Sequence, residues 1–245
     1  MDDAEGLAGW AALLADRTRA AFCLALLDGR AWTIGELARH AGVAPPTATE
    51  HADRLVAGGL LVQHRQGRHR YLSLAGAEVA ALIEAMAAAG APRPTPATSM
   101  AAVHRQRNLA YARTCYDHLA GTVGVALADG LAEAGMVSRD AGLALTARGR
   151  DRLDALGVDL SAAGRRPLLR DCLDWTERRP HLAGVVGAAI CRHALTAGWI
   201  ERIGTGRAVR ITPAGAAALG QLGVVIEARG GPGAAPAALS GAHHR

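Results

Sequence analysis

The chain has 245 residues and a formal net charge of +5. Half of its residues are apolar but only 3% are aromatic, so its core must be mainly alanine, leucine, valine and isoleucine. A core rich in alanine and leucine favours helices. No apolar run reaches the roughly 18 residues that span a bilayer, and the acidic start at residues 1–5 does not match a secretory signal. Four cysteines without a close CxxC pair do not suggest a disulfide scaffold. We therefore expect a cytoplasmic protein of one or two domains without a membrane partner.

The first forty residues predict three helices. Apolar residues recur at helical spacing over 7–27, and Asp16 interrupts them where it can cap a second helix. Thr33 and Glu36 then form a capping-box pattern, and Gly42 ends the short helix that follows. These segments predict a helix pair followed by the supporting helix of a helix-turn-helix.

A fourth helix and a hairpin complete the pattern. Pro45 suits the first turn of a helix that runs to about Ala57, because its missing N–H would be unbonded there in any case. The stretch 60–64 alternates weakly, turns at 65–67 and returns over 68–72. This predicts a two-stranded wing with a basic tip.

This order of elements closely resembles the ArsR/SmtB family of winged-helix repressors, most clearly in the segments 14–30, 32–61 and 66–73. The resemblance extends over residues 7 to about 89. It implies a mainly α fold class with short β-hairpins and an N-terminal winged helix-turn-helix. It also implies a DNA-binding transcriptional regulator, in the family usually a repressor, that acts as a symmetric homodimer on a double-stranded DNA operator.

The polar face of the fourth helix and the resemblance together indicate which side chains contact DNA. The expected contacts are Thr47, Thr49, Glu50, His51 and Arg54 on the helix and Arg65, Arg68 and Arg70 on the wing. A paired-helix dimer interface is expected from Leu7, Trp10, Leu14, Leu82 and Met86. The helix at 32–40 has no Cys and the helix after the wing has no His, so the family's metal sites do not carry over.

Composition divides the chain into two domains. Residues 1–89 form the first, alternating prolines mark a linker at 90–99, and a second domain is expected over 100–228. The Gly-, Ala- and Pro-rich segment 229–245 is expected to be a disordered tail.

The second domain resembles itself, in repeats at about 108–158 and 165–224. Each copy predicts a helix, a second helix, a short hairpin and a closing helix, which is a degenerate winged-helix-like unit. Paired glycines, 121 with 124 and 184 with 187, are expected to let two helices approach closely. A sensory or dimer-supporting role is preferred for this domain, because neither copy has an arginine-rich recognition face.

Matching Cys, Asp and His residues in the two copies are the candidate sensor. They are Cys115, Asp117, His118, Cys172, Asp174 and His181. If the copies bring them together, two thiolates and two imidazoles suit zinc, whereas two neighbouring thiols suit a disulfide or polysulfide link. Core packing with helix capping, or an organic ligand between the copies, would also explain the pattern. The effector stays open, and no cofactor is assigned beyond possible zinc.

Two other classes of function compete with gene regulation: a thiol- or metal-dependent enzyme, and a winged-helix protein-interaction module. Cys, His and Asp can form a nucleophilic set, but the sequence has no Gly-rich phosphate loop, dinucleotide fingerprint or known hydrolase motif. We therefore expect a non-enzymatic, sequence-specific regulator of the repressor type, whose operator affinity is modulated through the C-terminal domain.

Overall fold

The computed structural model describes residues 3–67, 69–90, 99–140, 142–161, 166–204 and 206–225. The predicted tail, residues 91–98 of the predicted linker, and Arg68 of the wing lie outside these ranges. Within the described part of the chain, no helix is both long and apolar enough to cross a membrane.

The N-terminal elements follow the predicted caps. They are α1 (Asp3–Leu14), α2 (Arg17–Leu26), β1 (Trp32–Thr33), α3 (Ile34–Ala41), α4 (Pro45–Ala57), β2 (Leu61–Gln66), β3 (His69–Leu74) and α5 (Ala77–Ala89). The Asp16 side chain accepts a hydrogen bond from the backbone N–H of Arg19 and so caps α2. Thr33 and Glu36 form both bonds of a capping box, and Gly42 ends α3 in the left-handed conformation at φ 70°. The helix ends predicted at these positions are confirmed.

A three-stranded sheet forms the wing and its base, in the order β1, β3, β2. The strands β2 and β3 pair antiparallel from Leu61 opposite Leu74 to Gln66 opposite His69, two residues beyond the predicted strand ends. The predictions did not include β1, because a two-residue strand is too short to show an alternating pattern. Phe22 and other buried residues of α2, α3, α4 and β3 form the core beneath. The region is a winged helix-turn-helix.

The C-terminal part contains short hairpins between its helices. Its elements are α6 (Met100–Tyr111), β4 (Arg113–Cys115), β5 (His118–Ala120), α7 (Thr122–Glu133), β6 (Val137–Ser138), β7 (Ala144–Leu145), α8 (Ala147–Ala155), β8 (Arg170–Leu173), β9 (Pro180–Ala183), α9 (Gly184–Thr196), β10 (Ile200–Arg202), β11 (Val209–Ile211) and α10 (Pro213–Gly220). The order hairpin, helix, hairpin, helix occurs over 113–155 and again over 170–220.

The first element of each copy differs from the prediction. Cys115 and Cys172 lie in β-hairpins, where a helix was expected. Strands of three or four residues are too short to produce a readable period. Backbone turns close the hairpins: Tyr116 adopts φ 57°, and the Asp174 side chain accepts hydrogen bonds from the backbone N–H groups of Thr176 and Glu177.

Each long helix of the C-terminal part packs on the hairpin of the other copy, α7 on β9 and α9 on β5. A Cβ on Gly124 of α7 would lie 2.6 Å from the carbonyl oxygen of Leu119 and 3.6 Å from Cβ of His181. A Cβ on Gly187 of α9 would lie 2.3 Å from the carbonyl oxygen of Leu182. The glycines therefore permit helix-to-hairpin contact, where the sequence had suggested helix-to-helix contact. A sequence does not contain the distances between chain segments, so it could not distinguish helix-to-helix contact from helix-to-hairpin contact.

We predict that Gly187→Ala destabilises the protein by about 1 to 3 kcal/mol, because the added methyl group meets a backbone carbonyl that cannot rotate away. The exposed α10 residue Gly220 is the matched control, since a Cβ there would contact nothing within 4 Å. Urea unfolding of both variants measures the difference. Equal stability of the two variants would contradict the packing described for α9.

Candidate functional site

Two hairpins bring four potential ligand atoms together. Cys115 lies opposite His118 in the β4–β5 pair, and Cys172 lies opposite His181 in the β8–β9 pair. Directly opposed residues of antiparallel strands share a face, so each hairpin presents one sulfur and one imidazole on the same side. The two Sγ atoms are 3.9 Å apart and the two Nε2 atoms 3.2 Å apart. All four side chains are buried, and their ligand atoms lie within 4.8 Å of one another.

We call Cys115, His118, Cys172 and His181 the Cys–His cluster. The sequence singled out all four, and the structure brings them together across the two copies. The remaining candidates, Asp117 and Asp174, lie behind the two imidazoles rather than between the sulfurs.

Each imidazole of the cluster has a carboxylate behind it. Asp117 Oδ1 is 3.2 Å from Nδ1 of His118, and Asp174 Oδ2 is 3.3 Å from Nδ1 of His181. An arginine in turn pairs with each carboxylate: Arg166 Nη2 is 3.0 Å from Asp117 Oδ1, and Arg113 Nη2 is 2.9 Å from Asp174 Oδ2. A carboxylate behind a ligating histidine fixes the ring orientation and its tautomer.

Asp174 joins the two copies. Its carboxylate accepts a 2.6 Å hydrogen bond from the backbone N–H of Gly121, which precedes α7, and another from the Thr176 hydroxyl. The Asp174 and Arg113 side chains are both fully buried. Burial would raise the pKa of Asp174, but the hydrogen bond to His181 and the charge of Arg113 hold that pKa far below its usual range. Asp174 therefore remains ionised in the folded protein.

The cluster contains one acidic and one weakly acidic thiol. The Cys115 and Cys172 sulfurs share a hydrogen bond, and this bond lowers the pKa of Cys172 although burial opposes the shift. The same bond, together with burial, raises the pKa of Cys115 well above its usual value. For His181, burial favours a lower pKa, but hydrogen bonds to Asp174 and Cys172 raise it to about 8. Hydrogen bonds within the cluster thus favour the charged forms of Cys172 and His181.

The other two cysteines serve packing. Cys23 is buried in the N-terminal core and Cys191 in the C-terminal core. Burial raises the pKa of each thiol to about 12. All four cysteines are free thiols, but only those of the cluster have a low-pKa member.

The hairpin that carries Cys115 and His118 contacts the winged helix-turn-helix through Tyr116. The backbone N–H of Tyr116, next to Cys115, donates a 2.7 Å hydrogen bond to the carbonyl of Leu27, and its ring packs on the N-terminal core. A narrow gap above the cluster is lined on one side by Ala77, Ala80, Ala81 and Glu84 of α5. Arg207 of the β10–β11 hairpin donates a 2.5 Å hydrogen bond to the buried Glu84 carboxylate.

Sequence reasoning missed several residues that organise this site. They are Arg113, Tyr116, Arg166, Arg207 and Glu84. The pairs that they form join distant parts of the chain, such as Arg207 with Glu84, so no local period or spacing marks them.

On α4, three of the five predicted DNA contacts are exposed: Thr47, Glu50 and Arg54. Glu50 and Arg54 form an exposed ion pair of 2.6 Å. Thr49 is half-buried and donates a hydrogen bond to the Pro45 carbonyl. His51 points toward α2, with Nδ1 3.6 Å from Asp16 Oδ1 and a side chain only 16% exposed. His51 therefore packs toward the start of α2 rather than outward from α4.

On the wing, the predicted contacts are also unequal. Arg65 is exposed on β2. Arg70 Nη1 is 2.6 Å from Asp53 Oδ1 of α4, and the Arg70 side chain is 21% exposed. Arg70 thus ties the wing to α4. His64 and His69 are further exposed wing side chains that the sequence analysis did not select.

The helix-turn-helix, the wing and the polar face of α4 define a DNA-binding protein of the winged helix-turn-helix class. A family model described as a helix-turn-helix domain matches residues 14–64. The chain is 39% identical over 206 residues to YdfF of Bacillus subtilis (strain 168), an uncharacterized HTH-type transcriptional regulator, covering 83% of this chain and 90% of that protein. The chain belongs to the HTH-type transcriptional regulators, and the predicted resemblance and DNA-binding regulatory function are confirmed.

Solved structures resemble the N-terminal region. The transcriptional repressor BigR from Xylella fastidiosa is 22% identical, with a TM-score of 0.34 over 37% of this chain and 91% of its own. The winged helix-turn-helix domain of Mb0332 from Mycobacterium bovis, titled a possible ArsR-family regulator, is 26% identical, with a TM-score of 0.32 over 35% of this chain and 83% of its own.

We predict that Asp174→Asn destabilises the protein by about 3 to 5 kcal/mol, because it leaves the buried Arg113 charge without its partner. The control is Asp171→Asn, which breaks a half-exposed pair with Arg139 and should cost about 0 to 1 kcal/mol. Chemical denaturation followed by circular dichroism measures both. A similar small loss in the two variants would contradict the organising role given to Asp174.

Proposed function

We propose that this regulator binds operator DNA as a symmetric homodimer, represses transcription, and changes its operator affinity with the chemical state of the Cys–His cluster. The observation that carries the proposal is the position of the cluster. It lies one residue from Tyr116, which is bonded to the N-terminal core, and under α5, the last helix of the winged helix-turn-helix.

DNA recognition is assigned to the exposed face of α4 and to the wing. Thr47 and Glu50 are on the outer side of α4, where side chains can reach base edges in a major groove. Arg65 of the wing has an exposed guanidinium suited to backbone phosphate. His51 and Arg70 support this surface through Asp16 and Asp53.

The dimer is assigned to α1 and α5. None of the described residues of α1 is buried, and Leu7 is 75% exposed. On α5, Met86 and Leu82 are 45% and 39% exposed. Large apolar side chains on two helices of a charged, water-exposed protein favour a paired-helix interface. Trp10 and Leu14 are half-buried against the N-terminal core, so they contribute less to that interface than the sequence suggested.

The C-terminal region supplies the regulatory part. We infer that its two copies, each a hairpin, helix, hairpin and helix, arose by duplication as degenerate winged-helix-like units. The hydroxyls of Thr146 and Thr212 cap the closing helices in the same way in both copies. The boundaries proposed for this domain, 100–228, enclose both hairpins of the cluster.

A change at the cluster reaches the DNA-binding unit along two short routes. One runs from Cys115 through Tyr116 to the Leu27 carbonyl at the end of α2. The other runs from β4 through Arg207, whose carbonyl accepts a 2.9 Å bond from the Thr114 N–H, to Glu84 on α5. Because α5 also carries Leu82 and Met86, a shift of α5 alters the spacing of the two recognition helices in the dimer.

For DNA binding we predict that Arg65→Ala weakens binding to cognate and random duplexes alike and lowers the salt dependence, reducing the slope of log K against log salt by about 0.9. Thr47→Ala should weaken cognate binding by about 1 to 3 kcal/mol and leave random-sequence binding unchanged. Fluorescence titration over a range of salt measures both.

The control is Arg148→Ala, which removes an exposed arginine of α8 and should alter neither quantity. A footprint of the parent protein should be twofold symmetric, because dimer symmetry must match the operator. Loss of cognate preference in Arg65→Ala, or its retention in Thr47→Ala, would show that the two surfaces are wrongly assigned.

For regulation we predict that Cys172→Ser changes operator affinity although Cys172 is not on α4 or the wing. Allosteric couplings of about 1 to 3 kcal/mol correspond to changes of roughly 5- to 150-fold. Cys191→Ala, a buried cysteine of the same region, is the control and should leave operator affinity unchanged. If the two variants bind operator with the affinity of the parent protein, the cluster does not regulate DNA binding.

A further inference from the structure

We infer that the Cys–His cluster is a tetrahedral binding site for a thiophilic divalent metal ion of the zinc class, with Cys115, Cys172, His118 and His181 as its four ligands. The metal site would supply the effector of the proposed regulation. Metal binding itself does not depend on that proposal; only its effect on DNA binding does. The family match and the relatives described above do not assign this site.

The sulfur-to-sulfur and the nitrogen-to-nitrogen distances match a tetrahedron around zinc. With Zn–S bonds of about 2.3 Å and Zn–N bonds of about 2.05 Å, tetrahedral angles place two sulfurs about 3.8 Å apart and two nitrogens about 3.3 Å apart. The structure has 3.9 Å between the sulfurs of Cys115 and Cys172 and 3.2 Å between the Nε2 atoms of His118 and His181. All four ligand atoms lie within 4.8 Å of one another, so the two hairpins close on the ion to bring each sulfur within about 3.6 Å of each nitrogen.

The orientation of the imidazoles also indicates a cation. Both Nδ1 atoms face carboxylates, so Asp117 and Asp174 favour a proton on Nδ1 of each ring. That tautomer leaves a lone pair on each Nε2, and the two Nε2 atoms point at each other. Two facing lone pairs repel unless a proton or a metal ion lies between them. Backing of a ligating His by a carboxylate is the usual outer shell of a metal site.

Charge balance favours a divalent ion. Two thiolates neutralise a 2+ ion, and the protons on the sulfurs and on Nε2 are released to water when it binds. The outer carboxylates are already balanced, Asp117 by Arg166 and Asp174 by Arg113. The loaded site buries no net charge, which is the condition for stable ions in a protein interior. Two sulfurs and two imidazoles in tetrahedral positions select a borderline-soft ion such as Zn²⁺ over Mg²⁺ or Ca²⁺.

The narrow gap beside the cluster borders the DNA-binding unit. Cys172 retains 9% exposure, and the gap beside it is lined by Ala77, Ala81 and Glu84 of α5 together with Arg170. Entry and exit therefore depend on how α5 sits over β8. The same helix carries the proposed dimer contacts, so occupancy of the site and the arrangement of the dimer are physically connected.

The test uses the full chain, reduced and freed of metal with a chelator, and titrated with Co²⁺ in the absence of DNA. We expect one Co²⁺ per chain, with the intense visible bands of a tetrahedral site and a sulfur-to-cobalt charge-transfer band, both abolished by one equivalent of Zn²⁺. Cys115→Ser and Cys172→Ser should lose the charge-transfer intensity, whereas Cys23→Ala and Cys191→Ala should keep it. Retention of the spectrum in Cys172→Ser, or no stoichiometric spectrum in the parent protein, overturns the inference.

A second measurement does not depend on the folding of variants. In the parent protein, Zn²⁺ should protect Cys115 and Cys172 from alkylation, as mapped by peptide mass, and Mg²⁺ should not. Equal labelling of these thiols with and without Zn²⁺ overturns the site.

Operator affinity is then measured separately with and without Zn²⁺, and a change of several-fold is expected. Stoichiometric metal with unchanged operator affinity supports the site and contradicts the proposed regulation. Failure to bind metal, with operator affinity still altered in Cys172→Ser, overturns the metal site and supports regulation by the cluster.

Discussion

The C-terminal region depends on the ion pair and hydrogen bonds made by the buried carboxylate of Asp174. It accepts hydrogen bonds from the start of α7 at Gly121 and from Thr176 in its own turn, and it faces Arg113 and His181. An ionised group in a dry interior is stable only when its charge and its lone pairs are all matched. The matching partners come from both copies, so the position of β8–β9 relative to β4–β5 is fixed. That position in turn sets the distances within the Cys–His cluster.

The second organising feature is α5, whose sides face three different surroundings. Val79 and Ile83 are buried in the core of the winged helix-turn-helix, Ala77 and Glu84 border the cluster, and Met86 is exposed to water. The same helix thus packs in the DNA-binding core, borders the cluster and forms part of the proposed dimer surface. Small residues on the face toward β8 permit close approach, and the buried Glu84 is compensated by Arg207 from the far end of the chain.

The N-terminal region could be predicted well because its signals are local. The capping box at Thr33, the left-handed Gly42 and the proline at the start of α4 act within a few residues of themselves. The surroundings of single side chains could not be predicted in this way. His51 and Arg70 were expected to contact DNA from their positions in the sequence, whereas their positions near Asp16 and Asp53 follow from the packing of α2 and the wing against α4.

In the C-terminal region the sequence by itself showed two similar segments with matching Cys, Asp and His residues, since such similarity is visible without a structure. It did not determine that the first element of each copy is a hairpin, because three or four residues give no readable period. It also left open whether Cys115 and Cys172 are close in space, because they are 57 positions apart in the chain. Only the tertiary structure decided that, by packing each helix on the other copy's hairpin across Gly124 and Gly187. Contacts of this kind depend on distances in space that no local chemistry of the chain encodes.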